Sequence, residues 1–94
     1  MNPMTMAQKQ ATADEIRQRV KELVAEITER RPEEISDTAL FVEDLRIDSL
    51  MTIEMLVMVD KKYKIHIQEE EFGKIKNVNE AVDVVQRYIA AAAR

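Results

Sequence analysis

The residues most able to take part in chemistry are Asp48-Ser49-Leu50, where a long connection gives way to a predicted helix over about 49–63. An Asp at that point can cap the helix, because its carboxylate accepts a hydrogen bond from first-turn amides. The serine beside it keeps its hydroxyl outside the helical ladder. Any phosphate placed on Ser49 would meet the positive end of the helix dipole and unpaired N–H groups. The tripeptide alone also reads as an ordinary helix start, so its surroundings decide between the two.

Other candidate chemistry is thin. A serine nucleophile needs a base within hydrogen-bond reach. His66 is the one histidine and lies past the far end of that helix. Flanked by Ile65 and Ile67, it reads as a surface residue between two apolar anchors. Glu33, Glu34, Asp37, Glu43, Asp44, Asp48 and Glu54 lack the ordered spacing of a calcium loop, and paired-acid chemistry would need an enclosing pocket. They read as a solvated acidic face, and no metal site is expected. The absence of cysteine excludes a disulfide framework, a Cys metal site and a Cys nucleophile. Catalysis by the chain itself is not expected.

The 94 residues suffice for one small domain. With one Gly, two Pro and many Glu, Lys, Ala and Leu, the composition favours an all-α fold. Two Tyr and two Phe leave the core to aliphatic and Met side chains, which pack adaptably. A formal charge of −4 argues against nucleic acid, which needs a concentrated basic face, and suits cationic protein partners. No apolar run approaches the ~20 residues of a membrane span. Met1-Asn2-Pro3-Met4-Thr5-Met6 lacks the basic start and apolar run of a signal peptide. A soluble, cytoplasmic monomer is the expectation.

Residues 1–11 show no periodicity and read as a flexible tail; 12–92 read as the helical domain. Thr12-Ala13-Asp14-Glu15 has the pattern of a capping box. Ile16, Val20, Leu23, Val24 and Ile27 then recur at helical spacing, predicting a first helix over 13–30. Arg30 and Arg31 suit its C-terminal dipole, and Pro32 supplies a stop. The connection 31–48 is long for such a chain, and loops of that length are usually functional or disordered. Leu40, Phe41, Leu45 and Ile47 peg it down, and Ser36-Asp37-Thr38 predicts a turn midway.

The helix over 49–63 carries two apolar arcs. Met55, Leu56, Val59 and Tyr63 suit a bundle core, whereas Leu50, Ile53 and Val57 lie nearly opposite. The second arc packs under the loop or forms an exposed strip for a partner protein. Glu69-Glu70-Glu71-Phe72 predicts a short helix ended by Gly73. Asn77 to Glu80 starts a last helix through Ala81, Val82, Val84, Val85, Tyr88 and Ile89, frayed beyond Ala90. The expected fold is a small four-helix bundle, three main helices plus one short one, with a long loop between the first two.

Leu45-Arg46-Ile47-Asp48-Ser49-Leu50-Met51-Thr52-Ile53-Glu54 closely resembles the attachment site of acyl carrier proteins, and the resemblance extends over about 12–90. It implies that a phosphopantetheinyl transferase places 4′-phosphopantetheine from coenzyme A on Ser49, beside the helix-capping Asp48. It also implies a thiol arm that holds acyl intermediates as thioesters for acyl-transferring, condensing, reducing and dehydrating enzymes. Leu50, Ile53, Glu54 and Val57 match family positions that meet such partners. Met55, Val59, Ile65, Ile67, Ile75, Val82 and Val85 are candidate lining for an acyl pocket. The sequence departs from the family at Arg46, where Gly is frequent, at Met51, where Asp is frequent, and at Asp60-Lys61-Lys62-Tyr63-Lys64, which replaces an acidic run ending Phe-Gly. Lys61 and Lys64 give the partner face mixed charge, which points to a dedicated fatty-acid, polyketide or related pathway. An aminoacyl or peptidyl carrier, or an unmodified adaptor of the same fold, are the alternatives.

Overall fold

Thr12 opens the first helix as the capping pattern predicts: its hydroxyl accepts the Glu15 amide, and the Glu15 carboxylate accepts the Thr12 amide. The structure is a computed structural model describing residues 12–92; the tail expected at 1–11 lies outside the described residues. Helix α1 is Ala13–Thr28, α2 is Ser49–Tyr63, α3 is Glu69–Phe72 and α4 is Val78–Ala92. A 3-10 turn at Pro32–Glu34 follows α1, and the described residues contain no strand. This is the all-α, four-helix arrangement expected, with a long first loop.

Helix α1 packs on both α2 and α4, and α3 leans on α2. The interior is aliphatic: Ile16, Val20, Val24, Ile67, Val78 and Val85 are fully enclosed. Their burial on one face of each long helix supplies most of the helical stability, because short helices are marginal by themselves.

Helix ends differ from the sequence reading in an instructive way. Helix α1 stops at Thr28, so Arg30 and Arg31 fall outside it. The stop is Glu29, left-handed at φ 59°, with the Arg30 amide donating to the Ala25 carbonyl and the Glu29 amide to Glu26. Pro32 does not end the helix; it opens the 3-10 turn, where its fixed φ fits and its missing N–H is not needed. Helix α2 closes the same way, with Lys64 at φ 56° and the Ile65 amide donating to the Asp60 carbonyl. Gly73 follows α3 as expected but in a right-handed conformation, φ −65°. Helix α4 runs through Ala92 rather than fraying beyond Ala90.

The long loop is pinned along its length. Ile35, Phe41, Leu45 and Ile47 are buried, while Leu40 is only half-buried. Asp37 lies between Lys21 and Arg17 of α1, at 2.8 and 3.3 Å, and its carbonyl accepts the Asn79 amide of α4. The Phe41 amide donates to the Lys76 carbonyl at 2.8 Å. A turn over 41–45 then leads into Arg46, left-handed at φ 62°, and the Ile47 amide returns to the Phe41 carbonyl. Two features therefore bend this loop, the 3-10 turn and the 41–45 turn, in addition to the turn at Asp37-Thr38.

Candidate functional site

The loop delivers the chain to α2 with Asp48 extended, φ −104°, and Ser49 as the first helical residue. The Asp48 carboxylate accepts the Met51 amide at 2.9 Å, and the Asp48 carbonyl accepts both the Thr52 amide and the Thr52 hydroxyl. These bonds fix the helix start without using Ser49. Its side chain is exposed, and its hydroxyl has no hydrogen-bond partner among the described residues. The Ser49 and Leu50 amides belong to the first turn, where the helical ladder offers no acceptor.

Beside Ser49 opens a cleft of about 440 Å³ between the loop, α2 and α3. Asp48, Ser49, Thr52 and Glu69 make its polar edge; Val42, Ile47, Ile53, Leu56 and Phe72 make its apolar walls, and Gly73 completes the α3 side. The hydroxyl thus stands at the mouth of a mostly apolar recess. His66 stands beyond the opposite end of α2, 87% exposed, 3.7 Å from Asp60. Among the described residues no group of three or more His, Cys, Asp or Glu is gathered as a metal site.

Leu50, Ile53 and Val57 are exposed by 66, 43 and 51%, so the second arc of α2 forms an outer strip and does not pack under the loop. Val42, 63% exposed on the loop, is a fourth exposed apolar residue that sequence reasoning missed. Its signal was faint, since one Val in an acidic turn has no periodicity to reveal it. Glu54 and Lys61 share the face of the strip by helical spacing, and Lys64 caps its end; all three are exposed. Ser49 and Lys61 are separated along α2 by about 18 Å at 1.5 Å per residue. Among the described residues Arg46, Lys61 and Lys64 form no ion pair.

The candidate pocket residues fall elsewhere. Met55, Val59, Ile67, Val82 and Val85 are packed in the core, and Ile65 is half-buried beyond α2. Ile75 lines a separate cleft between α3 and α4. The open recess beside Ser49 uses Leu56 and Phe72 instead, together with the loop residues Val42 and Ile47.

An exposed, unpartnered hydroxyl on a capped helix start, with an apolar recess beside it, fits a covalently tethered, flexible group. Comparison with known proteins points the same way. The family profile described as "Phosphopantetheine attachment site" matches residues 18–85, which include the loop, Ser49 and the first half of α4. Among solved structures, the chain is similar to an acyl carrier protein from Enterococcus faecalis, with a TM-score of 0.71 and 23% identity. The match covers 83% of this chain and 99% of that one, and at this identity it speaks to the fold.

Proposed function

This chain belongs to the phosphopantetheine attachment-site family, and from that premise we propose that Ser49 Oγ bears the arm and that residues 12–92 are an acyl carrier domain. The family's prosthetic group is covalent 4′-phosphopantetheine, and the chain is a carrier protein. When bound, that group supplies a terminal thiol able to hold an acyl group, so the hard chemistry rests with it and with partner enzymes.

The single observation that carries the reading is the Ser49 hydroxyl, exposed and unpartnered at a helix start that Asp48 already caps. Asp48 holds the backbone so that the hydroxyl points clear of the helix. The unpaired Ser49 and Leu50 amides offer donors to a phosphate at that oxygen. Leu50, Ile53 and Val57, joined by Val42, give partner enzymes an apolar strip beside the attachment point. The recess between α2 and α3 can shelter a short apolar group from water.

Glu54 toward the Ser49 end of the strip and Lys61 and Lys64 toward its far end give it mixed charge, which favours a dedicated set of enzymes over general fatty-acid synthesis. In this reading the protein performs no catalysis and works as a cytoplasmic monomer. Among the described residues no helix is long and apolar enough to cross a membrane.

Coexpression with a broad-specificity phosphopantetheinyl transferase tests the assignment by mass spectrometry. Wild type gains one phosphopantetheine, and Ser49→Ala gains none. A wild type that stays unmodified would mark an adaptor. Aminoacyl loading in preference to acyl loading would mark a carrier of the peptidyl kind.

A further inference from the structure

Helix α3 is barely more than one turn long, and it has open space on both flanks. On the α2 side is the recess beside Ser49, about 440 Å³; on the α4 side is a second cleft of about 400 Å³. Phe72 and Ile75 anchor the segment in the core from below. Its polar tether to the rest of the bundle is concentrated in one side chain. Glu71 accepts the Tyr88 hydroxyl through one carboxylate oxygen and the Arg87 guanidinium through the other, both at 2.6 Å. The Tyr88 oxygen in turn lies 3.5 Å from the Gln68 amide that precedes α3. Among the described residues no other side chain of α3 makes a hydrogen bond or ion pair to another helix.

Resting on the reading that the recess shelters the carried group, we propose that the Glu71–Tyr88–Arg87 clamp is its length-determining element. The clamp fixes the stand-off of α3 from α4 and so the width left between α3 and α2. A group that outgrows the recess must push α3 aside, which strains two hydrogen bonds to a carboxylate. Each sheltered methylene favours the occupied state by at most about fourfold. One hydrogen bond to a charged acceptor opposes it by at most about tenfold, since the Glu71 carboxylate is partly open to solvent. The clamp therefore offsets at most roughly two methylenes of chain, with Tyr88 as the larger partner because Arg87 is mostly exposed and its ion pair is screened. The clamp's residues touch neither the arm nor the strip; they position α3.

The test uses the full chain carrying butanoyl, octanoyl, dodecanoyl and hexadecanoyl groups on the Ser49 arm, as wild type, Tyr88→Phe and Glu71→Gln. Tyr88→Phe keeps the ring, and Glu71→Gln provides a second disruption should the first fold poorly. The melting temperature of wild type should rise with chain length and then level off, and in both variants the rise should continue to longer chains. Amide hydrogen exchange on the unloaded proteins gives a second readout. Phe72 and Gly73, which donate to the Gln68 and Glu69 carbonyls, should exchange about tenfold faster in the variants. Identical length profiles in wild type and variants, or unchanged exchange of these amides, would overturn the clamp while leaving the shelter intact. Melting temperatures that stay flat with length in all three proteins would overturn the shelter itself, and the clamp's role with it.

Discussion

The Asp48 carboxylate accepts the Met51 amide across the first turn of α2 at 2.9 Å, and Ser49 between them takes no part in that bond. Helix capping thus falls to Asp48 and leaves the Ser49 hydroxyl, the proposed attachment point, free. Asp48→Ala should cost about 1 kcal/mol, the usual worth of an N-cap, and slow modification of Ser49 by loosening the helix start. Ser49→Ala should leave stability nearly unchanged and abolish modification. Urea melts combined with intact-mass time courses check both; a stable but unmodifiable Asp48→Ala would mean that the carboxylate is read by the transferase itself.

Arg46 and Lys64 hold left-handed conformations at φ 62° and 56°. A side chain there is strained by ~1 kcal/mol or more relative to glycine, which adopts this region freely. Arg46→Gly and Lys64→Gly should each raise stability, by up to about 1 kcal/mol, because the freer unfolded chain takes back part of the relief. Thermal melts of the two single variants measure it. A loss of stability in either would show that its side chain makes a compensating contact.

Lys61→Glu with Lys64→Glu should improve turnover of this carrier by general fatty-acid synthesis enzymes and lower it with the carrier's own partners. Exposed single charges change encounter rates and reject wrong partners more than they add affinity. Leu50→Ala or Val57→Ala should weaken both sets, since the apolar strip is common to them. Steady-state rates with each enzyme set at two salt concentrations decide the matter. Equal rates for wild type and the double Glu variant in every assay would reduce the lysines to helix-end charges.

Acid should loosen the protein at two identifiable points. The Lys21 ammonium, hydrogen-bonded to Asp37 and supported by Arg17, holds that carboxyl below its ordinary value; Tyr88 first and Arg87 second do the same for Glu71. A depressed carboxylate contributes stability above its unfolded value, and that contribution is lost as pH falls through the lower folded one. Tyr88 is shifted the other way by its bond to Glu71, so its contribution is present below the ordinary tyrosine range and lost as pH rises through the raised value. Stability measured by urea melts from neutral pH downwards should therefore fall, and Asp37→Asn or Glu71→Gln should flatten the slope. An unchanged slope in both variants would assign acid sensitivity to other groups.

Much of this fold is legible in the sequence because its signals are local. The capping box at Thr12 and Glu15, the periodic apolar positions of α1 and the Asp48 cap all act within one or two turns. The exposed strip was legible as well, because two opposed arcs on α2 leave one without a core to enter. Helix ends were harder. Glycine is the residue that signals a left-handed stop, yet Glu29, Arg46 and Lys64 occupy those conformations, and the single glycine is right-handed. The recess beside Ser49 was hidden because it is assembled from loop, α2 and α3 at once. Met55 and Val59, the expected acyl-pocket lining, are packed in the core, and the open recess runs along Leu56 and Phe72. Glu71 looked like one of three interchangeable acids, and only the approach of α4 distinguishes it.

The loop that delivers Ser49 is fastened to residues made later in the chain. Asp37 is bound through its carbonyl to the Asn79 amide, Phe41 through its amide to the Lys76 carbonyl, and Arg17 reaches Asn79 across 62 positions of sequence. A nascent chain that has released only α1, the loop and α2 has therefore not yet fixed the approach to its serine. Domains fold as units as they emerge during synthesis, so the segment 37–41 takes its place on the bundle only once the start of α4 has been made. Helix α2 can cap itself early through Asp48, whereas the loop that leads into it is held by contacts that close last.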